Sequence, residues 1–576
     1  MEGPSDHKNI ITEPLLNRNP KGGFRTLPFI LANEAFEGLA SYGLLTNVIL
    51  YLNREYCMDA AQGAQVLFLF SSATNFMPIL GAFLADSYVG RYRMIGFGCI
   101  ASILGTFLLW LTTLLEAKQP PCAHFSDNGN SRTASQLLLL YTAFAFMAIG
   151  AGGIRSSSLA FGADQLNMID NIKHSRIRES FFSWYYVTVT ASIFFGMTCV
   201  VYIQDTMGWT VGFGVTVVLM ILSALSFFLA SPFYVKSKPR ASWITALVQV
   251  VVASFRNRSL KLSTQATVEM RYHTKGSMLL VPSERLRFFN KACIIRKPQE
   301  DLTKDGKALD PWSLCTVDQV EDLKALIKVI PIWSSGMLMS VNLCQSSFIV
   351  LQASTMDRHI TSKFEIPAAT FSSIMFLVIT IWIALYDRVI IPLASKIKGK
   401  PVRLSMKQRI GIGILFSTAS MAALAIAETV RRETAIKEGF SDNPNAGLHI
   451  SAMWLLPYLV LSGLAEAFTG IGQNEFYYVE LPKSMSSVAS TLNGIGLSTA
   501  NLLSSFIVSA VRGFTRVEDQ GSWVSSNINK GHYDYYYWLL ASLSAVNFIY
   551  YLVCSRFYGP CEEEEGRIVA DEGFGQ

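Results

Sequence analysis

The sequence has little charge. Lys, Arg, Asp and Glu together make 16% of its 576 residues, where soluble proteins carry about 25%. Histidine is scarcer, seven in all, and offers no nucleophile–base or metal constellation on the apolar runs. That leaves a multi-span enzyme without its chemistry. Nine cysteines lie scattered, with no Cys-x-x-Cys and no ligand spacing, so neither a metal centre nor a disulfide framework organises the chain. No Gly-Lys-Ser/Thr follows the glycines at 150–153, which excludes a nucleotide loop. Residues 1–26 are polar and mixed in charge, without the pattern of a cleavable leader, so the first apolar run is expected to act as its own insertion signal.

Apolar length is abundant. Hydrophobic residues reach 51% and the mean hydropathy is +0.33. Twelve long runs separate, near 27–52, 64–85, 92–115, 136–163, 178–202, 208–233, 323–352, 367–393, 408–430, 449–478, 486–512 and 536–557. A membrane helix needs about 20 apolar residues and satisfies its own backbone, so each run can span a bilayer; their length excludes a β-barrel. The segment 234–322 holds fifteen Lys or Arg against nine Asp or Glu, which accounts for the whole +6 of the chain. The linker after the eighth run is also basic, with Lys396, Lys398, Lys400, Arg403, Lys407 and Arg409. Positive loops stay inside, so both termini and 234–322 are expected in the cytoplasm.

The expectation is an all-α membrane protein of twelve transmembrane helices in two six-helix bundles, the plan of the major facilitator fold. It divides as a cytoplasmic tail at 1–26, bundles at 27–233 and 323–557, a central cytoplasmic loop at 234–322, and a second tail at 558–576. Such halves are structural repeats with the binding site between them. Repetition in sequence is faint: GAFLADSYVGRYR after the second run and YDRVIIPLASKIKGK after the eighth each set an Asp near basic residues.

Ionisable side chains inside apolar runs are costly and face a cavity or a partner. Glu34 and Glu37 share one helix face by their i,i+3 spacing, and are read as a proton-coupling pair, the plainer alternative being a solvated pair near the helix end. Arg155 is the only Lys or Arg between Arg132 and Lys173. Always charged, it needs an acid or a bound anion; a purely structural ion pair is the alternative. The neighbouring Gly150, Gly152 and Gly153 suit close helix packing. Glu466 and Glu475 lie nine residues apart, on opposite faces of one helix, so one of them faces the cavity. Glu475, in the polar GQNEFYY patch, is taken as that one, with Glu466 as either a second site residue or an interhelix contact. Four acids against one base would leave −3 if all were ionised, so one or more should carry a proton. Asp86, Gly90 and Arg91 form GxxxxDxxxGR, a conformational gate at a helix end and not a substrate site. Tyr185, with Phe181, Trp184 and Tyr186, and Trp333 with Gln345 are candidate cavity residues, packing being the alternative. Cys57 and Cys122 fall on exterior loops and remain open as a pair. Glu562–Glu565 reads as a solvated tail.

AIGAGGIRSSSLAFGADQL, FFSWYYVTVTAS, RFFNKACI, WSLCTVDQVEDLKALIKVIPIW, YDR and the stretch from LSGLAEAF to GQNEFYYVELPKSM follow one another in order. Together they resemble the plant nitrate/peptide transporter family, within the proton-dependent oligopeptide transporter superfamily, over nearly the whole chain. KGGFRTLPFILANEAFEGLASYGLLTNVILYL resembles the family's first subfamily most. The resemblance implies proton coupling through a first-helix Glu-x-x-Glu followed by Arg or Lys. Glu34 and Glu37 match it, but Gly38 stands at the basic position. It also implies that the fourth-helix base, here Arg155 in place of the usual Lys, pairs across the cavity with a tenth-helix glutamate, matched to Glu475.

The resemblance leaves the substrate open among nitrate, peptides, hormones and defence compounds. Arg155 suits an anion, and low-affinity nitrate is placed first as the commonest role of similar proteins. The stretch 331–352 contains no His, so a histidine-based nitrate site there is not available, and an organic anion is the close alternative. No cofactor is expected beyond protons as coupling ion. The partners expected are an anionic small molecule, the lipid bilayer and regulatory kinases on the central loop, with no nucleic acid; the plasma membrane is favoured over the vacuolar one. Loss of the base beside Glu37 motivates a competing reading, a ligand sensor that no longer transports.

Overall fold

In the computed structural model, residues 22–559 are described apart from 117–132, 167–171, 237–242, 261–271, 275, 278, 280, 362–363, 400–403, 445, 483–484 and 517–521. Twelve helices are long and apolar enough to cross a membrane. The first six are Leu27–Arg54, Ala60–Val89, Arg91–Leu115, Ala134–Leu166, Trp184–Met207 and Trp209–Phe233. The second six are Val317–Thr355, Ala368–Ile397, Met406–Lys437, Ala452–Glu480, Thr491–Phe514 and Tyr533–Tyr558. Each expected run finds its helix. Several starts are fixed by reciprocal caps: Asp59 with Gln62, Thr316 with Gln319 and Ser405 with Gln408, in which each side chain satisfies a backbone N–H that the first turn leaves open.

Small residues set the packing. A Cβ on Gly150 would lie 2.1 Å from Ser102 Oγ, and one on Gly153 would lie 2.7 Å from Gly98 Cα. The fourth span therefore runs against the third with backbones almost touching, as small residues allow between membrane helices.

The central segment differs from the expected polar loop. It contains a helix, Trp243–Arg256, whose Val250 and Ala253 pack with Ala292, Cys293, Cys315, Val317, Val320 and Leu323 into a small core. Burial pushes the Cys293 and Cys315 thiols up to about 12, so both stay protonated. This lobe grows directly into the seventh span, which begins at Val317 rather than 323. A two-stranded hairpin, His359–Thr361 with Phe364–Glu365, lies on the opposite side, here called the far side.

The second and eighth spans each carry a π-helical turn, Ala85–Val89 and Tyr386–Ile390, with Asp86 and Asp387 at the second position of the two. The faint sequence repeat is thus a structural one. The two halves meet chiefly through the second and eleventh spans. Arg512 pairs with Asp59 at 2.8 Å, Gln65 donates to Ser509 Oγ at 2.7 Å, and the Ser72 and Ser498 hydroxyls lie 2.9 Å apart. These contacts run from the far-side end to the middle, so the described halves are latched on the far side.

Candidate functional site

The fourth span is broken at Ser156–Ser157, between helices Ala134–Arg155 and Ser158–Leu166, and Arg155 sits at the break. Its Nη2 lies 3.1 Å from Glu37 Oε1 on the first span. Ser41 Oγ, one turn on, donates to the same oxygen at 2.8 Å, and the Arg155 guanidinium stands 5.3 Å from the Tyr42 ring centre. Glu37 is 2% exposed while the Arg155 side chain is 25% exposed. The carboxylate is therefore sealed and the cation still reaches open space. Glu34 lies beside the pair, facing the Tyr185 hydroxyl and Ser158, and its Oε2 has no hydrogen-bond partner among the described residues.

Gly38 has a steric reason. A Cβ there would lie 2.7 Å from Ser192 Cβ on the fifth span, so a side chain at this position would require the first and fifth spans to shift apart. Arg155 pairs directly with Glu37 instead. The expected bridge from Arg155 to Glu475 across the cavity is not formed in this structure.

The two tenth-span glutamates differ in their surroundings. Glu475 Oε2 is 2.7 Å from Arg409 Nη1 on the ninth span, a pair within the second half. Glu466, on the opposite face, lines a cavity of about 130 Å³ with Trp333, Ser340, Gln473, Asn474 and Asn493. Asn493 donates to Asn474 Oδ1 at 2.5 Å, and Trp333 Nε1 donates to the Leu492 carbonyl at 2.8 Å. Gln345 is not among the residues that line that cavity. It is fully buried at the break of the seventh span, donating to the Val341 carbonyl at 2.8 Å and accepting from Tyr536 at 2.9 Å. Its role is to hold a helix end.

Of the fifth-span aromatics, Tyr185 is buried against Phe181 and turned to Glu34, whereas Trp184 and Tyr186 are exposed. Arg91 bonds both Asp86, at 3.1 Å, and Asp164 of the fourth span, at 2.9 Å, with Gly90 at φ +86° giving the turn between them. This motif ties three helix ends of the first half together, those of the second, third and fourth spans. Cys57 is disulfide-bonded on the far side; Cys122 lies outside the described residues. Sequence reasoning overlooked Ser41, Tyr42, Gln473, Asn474 and Asn493. Their signal was available as isolated polar groups within apolar runs, on the faces of Glu37 and Glu466 or beside them.

A family model described as PTR2, POT family, matches residues 92–524. Protein NRT1/ PTR FAMILY 1.2 of Arabidopsis thaliana is 51% identical over 581 residues, covering 99% of this chain and 95% of that protein. Protein NRT1/ PTR FAMILY 1.1 of the same plant is 51% identical over 572 residues, covering 98% and 97%. Among solved structures, an auto-inhibited POT family peptide transporter superposes with a TM-score of 0.67 at 18% identity, over 93% of this chain and 98% of that one. A POT family transporter in complex with 5-aminolevulinic acid gives 0.61 at 14% identity, over 94% and 99%. These structures agree in fold.

Proposed function

The chain belongs to the POT family of membrane transporters, and from that premise we propose that it carries a small anion by alternating access, with protons as the coupling ion and nitrate as the first substrate. The observation behind this is the single contact between Arg155 and the sealed Glu37. While Glu37 is ionised it neutralises Arg155. When a proton reaches Glu37, the charge of the guanidinium is uncompensated, and an anion entering from the open side restores the balance. Proton and anion are then bound together or not at all, which is symport. Glu34, beside the pair and with an unpartnered oxygen, serves as the relay.

Proton and anion enter once the far-side latch has opened, the far side being taken as the exterior. The basic lobe side is taken as the cytoplasm, with the plasma membrane as the location. A disulfide at Cys57 fits an oxidising exterior. The test is uptake of labelled nitrate by cells expressing the protein, at acidic and at neutral external pH. Wild type should take up more at acidic pH. Glu37→Gln should flatten that dependence, and an unchanged pH response would remove Glu37 from coupling.

A second reading rests on the cavity of the other half. Trp333, Glu466, Gln473, Asn474 and Asn493 offer a ring face and several hydrogen-bonding groups, more than a three-oxygen anion uses. An organic anion with its own donors would engage them, and a hormone panel in the same uptake assay separates the two substrates.

A further inference from the structure

On the lobe side lies a second cavity, of about 750 Å³. Its walls come from three elements: the lobe at Ser283, Arg285 and Leu286; the seventh span from Glu321 to Lys328; and the end of the tenth span from Tyr478 to Pro482. Lys324 is 5% exposed, with Nζ bonded to the Ser283 carbonyl at 2.8 Å and to Glu321 at 2.7 Å. Lys328 pairs with Glu480 at 3.0 Å. Both acids in the wall are thereby committed to its lysines. Arg285 is exposed and makes no ion pair among the described residues. Leu286 holds φ +48°, the left-handed region, while 46% exposed. A non-glycine residue is uncommon in that region, and here an apolar side chain stands outward at the lip. A wall with a spare cation, an exposed leucine, and Ile327, Val479 and Leu481 behind them suits an acidic, partly apolar segment.

The chain supplies one. The twelfth span ends at Tyr558, whose ring lies 4.5 Å from Lys328 Nζ and whose hydroxyl donates to Glu480 at 2.5 Å. Both partners belong to the cavity wall. Lys407 holds the Gly559 carbonyl. The last described residue, Gly559, thus stands at the rim of this cavity, and residues 560–576 follow it in sequence. They contain Glu562–Glu565, Asp571 and Glu572 against Arg567 alone, with Ile568 and Val569 between. Six residues of extended chain reach about 20 Å, enough to lay the four glutamates across the opening. We propose that the C-terminal tail 560–576 docks in this cavity, its glutamates on Arg285 and Ile568–Val569 against Leu286. Seated there, the tail joins the lobe to the ends of the seventh and tenth spans.

The experiment uses the full chain in lipid nanodiscs with Cys561→Ser, Gly566→Cys and Ser283→Cys, oxidised and read by mass spectrometry of the linked peptides. Leu309→Cys, exposed on the lobe outside the cavity, replaces Ser283→Cys in the control. Docking predicts that the 283–566 link exceeds the 309–566 link about tenfold or more, from the local concentration of a tethered segment. Changing Glu562–Glu565 to Gln should bring it to the control level. Equal links in the two pairs, or a link indifferent to loss of the four charges, overturns the proposal. An unmutated chain gives an independent measure. Trypsin cleavage after Arg567 should accelerate severalfold in high salt, because screening releases an electrostatically held tail, and a salt-indifferent rate counts against docking. Neither readout depends on which solute is carried.

Discussion

Two buried acid–base pairs occupy opposite corners of the molecule and are built differently. Near the far-side end of the ninth span, Arg431 grips Glu428 with two nitrogens, at 2.7 and 2.8 Å, and fills its other donors with Asn529, Thr355 and the Ile528 carbonyl. Gln352 adds a bond to the same carboxylate at 2.9 Å. The side chains are 1% and 0% exposed. Arg155 and Glu37 share one contact, across two helices, with the cation partly open. The first pair lies within one helix and is saturated, so nothing can exchange with it. The second leaves guanidinium donors without a partner among the described residues, which is the condition for a ligand or a proton to compete. Burial alone therefore does not mark a site; unfilled hydrogen-bonding capacity beside burial does.

That contrast can be broken by truncating each cation in turn. Arg431→Ala leaves an uncompensated buried carboxylate and should cost about 3–5 kcal/mol, seen as loss of folded protein on thermal unfolding in detergent. Arg155→Ala should lower the melting temperature less, because a proton can neutralise the sealed Glu37 in place of the lost cation, while uptake falls about 100–1000-fold, the loss expected of a preorganised charge at a binding site. If Arg155→Ala unfolds the protein as Arg431→Ala does, the two pairs are alike and the distinction fails. Gly38→Ala sharpens it from the packing side. The added methyl meets Ser192, and overpacking of this kind costs about 1–3 kcal/mol, so it should lower thermal stability between those two limits.

Glu466→Gln and Glu475→Gln separate cavity from scaffold within one helix. The first should reduce uptake about tenfold and the second about twofold or less, since its partner Arg409 stands at the helix end. Equal losses would return Glu475 to the site. The smallest effect is expected at the far-side latch. Asp59→Asn removes a partly exposed ion pair with Arg512, worth about 0.2–1 kcal/mol. It should raise labelling of a cysteine placed at Ser72 by a membrane-impermeant reagent no more than a few-fold.

Twelve spans were legible because length and hydropathy alone decide them, and the first-subfamily resemblance agrees with two relatives at 51% identity. Glu34, Glu37 and Arg155 stood out as ionisable groups in apolar runs. Local pattern could not decide between Glu466 and Glu475. The nine-residue spacing separated the faces without saying which one met the cavity, and the polar neighbours of Glu475 said nothing of its ion pair with Arg409. Its partner, Arg409, had been counted as one of a basic linker's charges, although it is the fourth residue of the ninth span. Gln345 misled for a similar reason: a polar residue in an apolar run also marks a helix break. The lobe escaped notice because Val250, Cys293 and Val317 meet from stretches far apart in the chain.

The paired π-helical turns carry a mechanical consequence. Each inserts one surplus residue into its hydrogen-bonded ladder, at matching points of the second and eighth spans. A surplus residue can pass along a helix one hydrogen bond at a time, lengthening one side of it by about 1.5 Å. The two rods thus contain matched expansion joints, and each half can bend at its lobe-side end without its transmembrane ladder coming apart.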